Sequence, residues 1–378
     1  MKKRVAINTR FLLKGKLEGF GWYTYETISR LVNRHPEIEF YFFFDRPFDT
    51  KFVFADNVHP VVLYPPARHP ILFRIWFDFS VTRALKKYAI DLFISPDGYL
   101  SLRTNVPQVS VIHDLNFEHF PNDLPKSASR YLRKFFPKFA EKAAHILTVS
   151  EFSKEDIRTT YGIASDKITV GYNGASAIFT PVSSEVKERV KLKYTASNEF
   201  FLFVGALHPR KNLKRLLKAY DDFIEQTGSE THLLIVGAAY YWSEEMKAAL
   251  NAMQNKEKVV FSGHVDIHEL RDIYGSARAL AFVSYFEGFG IPIVEAMQCN
   301  CPVLVAENTA CHEVAGEAAL LCDPFSETSI TESLKRLEND EKLREQLIAS
   351  GKSRCQEFSW DTTAHKMEEV MMNLLTPH

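Results

Sequence analysis

Residues 279–297 read ALAFVSYFEGFGIPIVEAM, and this stretch is the best guide to the fold class. Its first five residues are a short apolar run, typical of a buried parallel strand. Two glycines then permit a tight turn, and Pro292 suits the first turn of a helix because its missing N–H would have no partner there. The stretch therefore predicts a strand, a turn and a helix whose N-terminus lies at the carboxyl end of the strand.

The same alternation of short apolar runs with longer segments of helical period extends along the whole chain. This pattern favours parallel βαβ units over a sandwich or a helical bundle. It occurs once in each half, which predicts two doubly wound sheets. The predicted strands are Val5–Asn8, Phe40–Phe44, Leu92–Ile94, Val109–Ile112, Ile146–Val149, Phe200–Val204, Leu233–Val236, Val259–Phe261, Ala279–Val283 and Val303–Val305.

The length of 378 residues fits two domains, each with its own core. We predict an N-terminal Rossmann-like domain over residues 1–180, a polar, Lys-rich linker over 181–198 and a second Rossmann-like domain over 199–359. A final helix, at about 360–378, is expected to rejoin the first domain. Ligands of such sheets bind beyond the carboxyl ends of the strands, so two facing domains predict an active site in the cleft between them.

Composition excludes several classes of protein. Hydrophobic residues make up 46% and charged residues 25%, as in a globular chain, and 46 Lys and Arg balance 47 Asp and Glu. This balance argues against nucleic acid as a partner. No apolar run reaches about 18 residues, and no signal peptide follows the basic N-terminus. We therefore expect a cytoplasmic protein, with a peripheral position at the inner membrane left open.

The five cysteines are odd in number and lack the paired spacing of a metal site. This usage indicates a reducing compartment, with the thiols as small core residues. They are Cys299, Cys301, Cys311, Cys322 and Cys355.

The predicted helix N-terminus after Gly290 is a candidate anion site. Free backbone N–H groups and the helix dipole favour a diphosphate there, and glycines let the backbone approach it closely. Glu287 precedes the helix and Glu295 lies about one turn inside it, so the carboxylates could accept hydroxyl hydrogen bonds at opposite ends of one ligand. The alternative is a simple turn with Glu295 capping or salt-bridging its helix.

A second strand-turn-helix pattern, FVGALHPRKNL over residues 203–213, carries an adjacent Arg210 and Lys211. An arginine fork and a lysine ammonium placed after a strand can neutralise a diphosphate. The alternative is a solvated pair on the surface.

Three weaker candidates lie in the first half. Gly19, Phe20 and Gly21 form a Gly-any-Gly turn before a helix, and His113 ends an apolar strand, as does Ser150. A plain turn and structural side chains are the alternatives at these positions. His113 could also orient an acceptor hydroxyl or pass on its proton, since histidine titrates near neutrality.

Taken together, these stretches resemble retaining glycosyltransferases of family 4, which have the GT-B fold. The resemblance rests on two glutamates separated by seven residues within EGFGIPIVEAM. The matching stretches run from Val5 to about Asp323. It implies that Glu287 contacts the transferred sugar and that Glu295 contacts the ribose hydroxyls. Ala206 stands where the family usually has arginine, but the Pro-Arg-Lys-Asn form of a subset is present, so Arg210 and Lys211 are assigned to the diphosphate.

The resemblance also implies a donor-sugar contact for His113 and donor contacts along the other strand ends. No Asp-any-Asp triplet occurs, so we expect neither a metal nor a cofactor, the nucleotide-sugar being a substrate. The expected catalytic residues are Glu287, Lys211, Arg210 and His113. The expected donor-binding residues are Gly19, Phe20, Gly21, Ser150, Gly205, Arg210, Lys211, Gly237, His264, Val265, Glu287, Gly288, Phe289, Gly290, Ile291 and Glu295.

The expected activity is transfer of a hexose from a nucleotide-sugar to a glycan or lipid-linked glycan acceptor. The motif forms resemble bacterial mannosyltransferases of surface polysaccharide assembly, so GDP-mannose is the first candidate donor. The alternatives are an epimerase or phosphorylase of the same fold and a non-catalytic nucleotide-sugar scaffold. A nicotinamide dehydrogenase is disfavoured, because neither half has a full Gly-any-Gly-any-any-Gly loop.

The stretch over residues 68–88 mixes bulky apolar and basic residues. Such a segment could bind a lipid-linked acceptor or a membrane surface. The alternative is an amphipathic helix packed into the first domain with its basic residues solvated.

Overall fold

A computed structural model describes residues 2–15, 17, 19–237 and 242–376 of the protein. The chain forms two compact units. Unit 1 contains the residues up to Asn173 and those from Ser359 onward, and unit 2 is Gly174–Phe358. Within the described ranges, no helix has both the length and the apolar character needed to cross a membrane.

Unit 1 is built on a seven-stranded sheet in the order β3-β2-β1-β4-β5-β6-β7, with every described pairing parallel. Strand β1 pairs on both sides, with Val5 opposite Phe40 and Leu92. The strands are β1 Arg4–Asn8, β2 Glu39–Phe44, β3 Val58–Val62, β4 Leu92–Ser95, β5 Gln108–Val111, β6 His145–Thr148 and β7 Ile168–Val170. The helices are α1 Gly19–Arg34, α2 Pro70–Ile75, α3 Thr82–Lys87, α4 Asn116–His119, α5 Lys126–Lys142 and α6 Glu151–Tyr161.

Unit 2 is built on a six-stranded parallel sheet in the order β10-β9-β8-β11-β12-β13. Its strands are β8 Phe200–Val204, β9 His232–Val236, β10 Val259–Gly263, β11 Ala279–Phe282, β12 Val303–Ala306 and β13 Leu320–Cys322. Its helices are α7 Ser184–Thr195, α8 Leu213–Thr227, α9 Glu244–Ala252, α10 Ile267–Ser276, α11 Ile291–Gln298, α12 Ala310–Ala315, α13 Glu327–Asn339 and α14 Glu341–Arg354.

The last helix, α15 (Trp360–Leu375), belongs to unit 1 and packs against α1. Arg34 Nη2 lies 3.0 Å from Asp361 Oδ1, and His35 Nε2 lies 2.9 Å from Glu368 Oε1. Ion pairs of this kind contribute little each, so the buried side chains Trp360, Met367 and Met371 account for most of the attachment.

The segment 181–198, expected as a linker, contains helix α7. This helix belongs to unit 2 and packs against α10, and Val182, just before α7, lies beside Gly275 of α10. The Lys-rich composition reflects an exposed helix face rather than an extended connection.

All ten predicted strands are present, and the described residues form three further strands that were not predicted. The missed strands β3, β7 and β13 lie at sheet edges. β7 and β13 have only three residues each, and β3 has a proline at position 60. Edge strands need no continuous apolar run, because one side of each faces no neighbouring strand.

Candidate functional site

Helix α11 begins directly at the carboxyl end of β11, at a sharp backbone turn. Its N-cap Gly290 has φ 100°, a conformation that other residues rarely adopt. A Cβ atom there would lie 2.9 Å from Ile293 Cδ1 and 3.2 Å from Phe282 Cε1. The turn therefore requires glycine, and it presents the first N–H groups of the helix at this sheet edge.

The Pro-Arg-Lys-Asn segment follows β8 and is fastened to the end of β11. Residues Pro209–Lys211 form a 3-10 turn that ends at Asn212, with φ 63°. The buried Asn212 amide donates to the carbonyls of Val283 (3.0 Å) and Pro324 (2.6 Å). Sequence reasoning did not select Asn212, although its place after Lys211 in the quoted motif was an available signal.

The turn brings Arg210 and Lys211 onto Glu287. Arg210 Nη1 lies 2.9 Å from Glu287 Oε2, and Lys211 Nζ lies 2.6 Å from Glu287 Oε1. Glu287 is only 5% exposed, and Arg210 and Lys211 are part-buried. Burial would raise the pKa of Glu287, but the two adjacent cations hold this pKa below its ordinary value. The carboxylate is therefore ionised near neutral pH.

Gly205 and Gly237 lie at the ends of neighbouring strands, beside this cluster. A Cβ on Gly205 would lie 3.4 Å from Lys211 Cε, and a Cβ on Gly237 would lie 1.9 Å from the Gly205 carbonyl oxygen. Gly237 N donates to Gly263 O at 3.0 Å. The structure thus brings the carboxyl ends of β8, β9 and β10 together. His264 and Val265 follow directly after β10, where His264 is exposed and Val265 is half-buried.

Glu295 makes different contacts. Its Oε2 accepts a 2.8 Å hydrogen bond from the hydroxyl of the fully buried Tyr274. Burial raises the pKa of Glu295 to about 7, an effect that the Tyr274 hydrogen bond partly opposes. The two predicted carboxylates therefore differ in environment, and sequence reasoning did not identify Tyr274.

The remaining predicted residues of this loop have mixed environments. Gly288 and Phe289 are buried, and the Phe289 ring contacts Phe358 edge-on at 5.4 Å. Ile291 is half-buried at the first position of α11. Phe289 is thus in the packed interior of unit 2.

In unit 1, the structure places Phe20 next to His113, with ring centroids 4.8 Å apart. Gly19 is exposed, whereas Gly21 is buried. A Cβ atom on Gly21 would lie 2.8 Å from the Phe11 carbonyl oxygen. His113 Nε2 lies 2.8 Å from the Pro96 carbonyl oxygen, and burial lowers the pKa of this histidine.

Ser150 is fully buried at the N-cap of α6, where its hydroxyl accepts from Ser153 N at 3.0 Å. Ser153 Oγ in turn donates to the His113 carbonyl oxygen at 3.1 Å. Ser150 therefore has a helix-capping contact close to the His113 segment.

A buried ion pair in unit 1 was not predicted. Arg10 Nε lies 2.5 Å from Asp97 Oδ2, and both side chains are about 5% exposed or less. The two residues lie just after β1 and β4, and only their positions after predicted strands could have drawn attention to them. Among the described residues, no group of three or more His, Cys, Asp or Glu side chains is arranged to hold a metal ion.

Comparisons with known proteins agree with the motifs. A family model described as "Glycosyltransferase Family 4" matches residues 17–177, and one described as "Glycosyl transferases group 1" matches residues 185–354. The chain is 29% identical to O-antigen chain mannosyltransferase B of Escherichia coli, over 92% of this chain and 94% of that protein. It is 31% identical to O-antigen chain mannosyltransferase RfbU of Salmonella typhimurium, over 70% of each chain.

Sucrose-phosphate synthase of Thermosynechococcus elongatus shares the fold, with a TM-score of 0.78 and 18% identity over 98% of this chain and 99% of that one. The predicted GT-B fold class and the predicted resemblance are confirmed. The chain belongs to glycosyltransferase family 4, and it is a glycosyltransferase.

Proposed function

We propose that the protein transfers mannose from GDP-mannose to a glycan or lipid-linked glycan acceptor in cell-surface polysaccharide synthesis, with retention of configuration and without a metal ion. The observation that carries the proposal is the ion-paired cluster of Glu287, Arg210 and Lys211 at the carboxyl ends of β8 and β11. Cations and a carboxylate at one point of a parallel sheet suit a ligand that combines a diphosphate with sugar hydroxyls.

Each group of the cluster has a chemical role in this proposal. Arg210 and Lys211 stabilise the negative charge that grows on the departing nucleoside diphosphate, and the N-terminus of α11 adds backbone N–H donors. Glu287 accepts hydrogen bonds from the transferred sugar, and Glu295 accepts them from the ribose. Two fixed cations supply the charge that a divalent ion would otherwise supply, so transfer should survive an excess of EDTA.

Retention is proposed because the motifs resemble those of retaining glycosyltransferases of family 4. Glu287 is poorly suited to act as the general base of an inverting displacement, since such a base works best with a pKa near the working pH. The pKa of Glu287 is held low by Arg210 and Lys211, which makes this carboxylate a weak base. We therefore propose that the acceptor hydroxyl attacks on the face from which the diphosphate leaves, and that a departing phosphate oxygen takes its proton.

Mannose is proposed because the two similar O-antigen enzymes are named mannosyltransferases. The first test is a thermal-shift panel of GDP, UDP and ADP with their sugars, since a ligand of the folded state raises Tm. A shift with GDP and GDP-mannose alone supports the proposal, and a shift with UDP compounds alone overturns the donor. No shift with any compound, in folded protein, contradicts donor binding itself.

The second test is transfer to an acceptor glycan, followed by NMR of the anomeric proton of the product. The same anomer as the donor supports retention, and the opposite anomer overturns it. Binding without transfer to any mannose-terminated or lipid-linked acceptor would favour a nucleotide-sugar scaffold. Loss of transfer in EDTA, restored by Mg²⁺, would overturn metal independence.

We further propose that unit 1 makes peripheral contact with the cytoplasmic face of an anionic membrane. Ile71 and Ile75 lie in α2, and Phe79 lies in the π-helix Trp76–Val81 that follows it; the three recur every four residues and are 65%, 38% and 51% exposed. We call these three residues the apolar ridge. Exposed apolar side chains at helical spacing beside basic residues are typical of helices that lie in a membrane interface.

Basic residues lie on α2 and on the neighbouring helix α5. The Arg74 guanidinium and the Lys134 and Lys138 ammonium groups all lie within 6 Å of the Phe135 ring centre. Helix α5 carries six Lys and Arg against one acidic residue, in a chain whose formal net charge is −1. This local excess of positive charge complements an anionic surface.

The membrane proposal is tested by co-sedimentation with vesicles of phosphatidylcholine alone or with phosphatidylglycerol. The triple variant Ile71→Ser, Ile75→Ser, Phe79→Ser and the double variant Lys134→Glu, Lys138→Glu should each reduce binding to anionic vesicles about tenfold or more, since each Lys near the surface contributes about 1 kcal/mol. The matched controls, Leu192→Ser and Lys352→Glu, should bind like the wild type. Equal binding by all variants, or none by the wild type, overturns the proposal.

A further inference from the structure

The loop after β4 is joined to the carboxyl ends of β1 and β4 through the carboxylate of Asp97. Asp97 Oδ1 accepts from Asn8 Nδ2 at 2.9 Å and from Ser95 Oγ at 3.0 Å. The backbone N–H of Tyr99 donates to the same oxygen at 3.3 Å. These bonds hold the turn that contains the Pro96 carbonyl.

The second oxygen of Asp97 pairs with Arg10, whose guanidinium lies among aromatic rings. The ring centres of Phe11, Phe73, Phe77 and Tyr99 are 4.4 to 5.4 Å from Arg10 Cζ. An ion pair so deeply buried is costly to desolvate and contributes little to net stability. Its effect here is to fix the loop in one position.

The Pro96 carbonyl in this loop determines the state of His113. A carbonyl oxygen can only accept, so His113 Nε2, at 2.8 Å, must carry the proton. The rings of Phe20 and Tyr23 hold the imidazole edge-on, with both centroid distances 4.8 Å. Burial lowers the pKa of His113, so the ring is neutral at pH 7 and Nδ1 carries a lone pair. Among the described residues, none makes a hydrogen bond with Nδ1.

We propose that Asp97 is a positioning residue for sugar transfer: through the Pro96 carbonyl it holds His113 as the Nε2–H tautomer, so that Nδ1 accepts a hydrogen bond from a substrate hydroxyl. The contact with a substrate hydroxyl rests on the proposed function. The tautomer of His113 does not depend on that function. His113 then serves as an acceptor rather than as a proton donor, and Arg10 keeps the Asp97 carboxylate oriented.

The test compares two double variants that each remove the buried charge pair. The double variant Arg10→Met with Asp97→Ala removes every hydrogen bond that the loop makes with the Asp97 side chain. Arg10→Met with Asp97→Asn keeps the Oδ1 acceptor. The tautomer of His113 is read from the ¹⁵N shifts of its ring in long-range ¹H–¹⁵N spectra, and kcat and KM are measured with the donor that the thermal-shift panel selects.

The wild type should show a single Nε2–H tautomer without any substrate. The alanine variant should lose this single state and about 10- to 100-fold in kcat, with a smaller change in KM, because misplaced groups slow chemistry steeply. The asparagine variant should restore both the single Nε2–H tautomer and the kcat. The control Arg46→Met with Asp45→Ala removes another ion pair of unit 1, in which Asp45 is buried and Arg46 part-buried, and should leave the His113 spectrum unchanged.

Three results would overturn the inference. An Nδ1–H tautomer in the wild type contradicts it directly, even if no variant folds. A wild-type His113 spectrum in the alanine variant would show that Asp97 does not hold the His113 tautomer. A fixed tautomer in the wild type together with unchanged kcat in the alanine variant leaves the structural link but overturns the role in transfer. If the wild type has the fixed tautomer and no transfer at all, the proposed function fails while the link through Pro96 stands.

Discussion

Lys211 Nζ lies 2.6 Å from Glu287 Oε1 in unit 2, while Arg210 contacts the other oxygen of the same carboxylate. The two cations proposed to hold a diphosphate are thus paired with a carboxylate of the protein itself. A bound diphosphate would have to compete with Glu287 for them, and the carboxylate would be released toward the sugar hydroxyls. Because of this competition, replacing the carboxylate and replacing a cation should have different effects on donor binding and on transfer.

Glu287→Gln should separate binding from transfer. It frees Arg210 and Lys211 from their internal anion, so we expect GDP to bind several-fold more tightly, as measured by isothermal titration calorimetry. We expect kcat to fall about 100-fold or more, because a charge contact to the transferred sugar is lost. The exposed Glu317→Gln is the control. Weaker GDP binding in the Glu287 variant would contradict competition for the cations.

Lys211→Ala should reduce kcat about 100- to 1000-fold, since a charge that stabilises the leaving group disappears. The melting curve by circular dichroism should remain cooperative. Lys214→Ala, one turn further on and paired with Glu245, should leave kcat near the wild-type value. An unchanged kcat for Lys211→Ala would remove this lysine from the site.

Glu295 should make the protein less stable as pH rises. Its pKa in the folded state is about 7, above the ordinary value of 4.5, because burial disfavours the charged form. Between these two values the folded state binds more protons than the unfolded state, so this group lowers the free energy of unfolding as pH increases through this window. Glu295→Gln should therefore gain about 1 to 3 kcal/mol relative to the wild type between pH 5 and pH 8.

Urea unfolding of both proteins at several pH values measures this difference. A constant difference between the two proteins across pH 5 to 8 would show that Glu295 ionises normally. Tyr274→Phe is a second probe, since it removes a hydrogen bond that favours the ionised carboxylate. That variant should raise the pKa of Glu295 further and extend the loss of stability to higher pH.

Gly237→Ala should disrupt unit 2. The new Cβ would lie 1.9 Å from the Gly205 carbonyl oxygen, a backbone atom that cannot move without displacing the end of β8. We expect a loss of about 3 kcal/mol or more, seen as a fall in Tm or as insoluble protein. Gly162→Ala is the matched control, because Gly162 also has positive φ but has no atom near its Cβ position. It should cost only about 1 kcal/mol.

The interior strands were predictable because burial on both faces leaves a visible mark in the sequence. β8 (FFLFV) and β4 (LFIS) are buried at every residue, so each is a short run dominated by apolar side chains. The edge strand β3 (VHPVV) has a histidine and a proline, which a strand with one open side tolerates. Helix α7 was hidden for a related reason, since only two of its twelve residues are buried.

The candidate site was predictable as a set of residues but not as a set of contacts. Glu287, Arg210 and Lys211 could be selected because they follow predicted strands and match a family motif. Their ion pairing depends on the adjacency of β8 and β11 in the sheet, which lie about 75 residues apart in the chain. Tyr274 carries no local signal, because its importance comes only from the hydroxyl that reaches Glu295.

The sequence by itself determined the fold class, the number of sheets, the interior strands and the family, because these are written in apolar periodicity and in contiguous motifs. Only the tertiary structure decided that α7 packs in unit 2, that Glu287 holds both cations, and that Asp97 and Arg10 fix the loop beside His113. Those features join residues distant in the chain, and their hydrogen bonds, burial and pKa values exist only once strand order has brought the residues together.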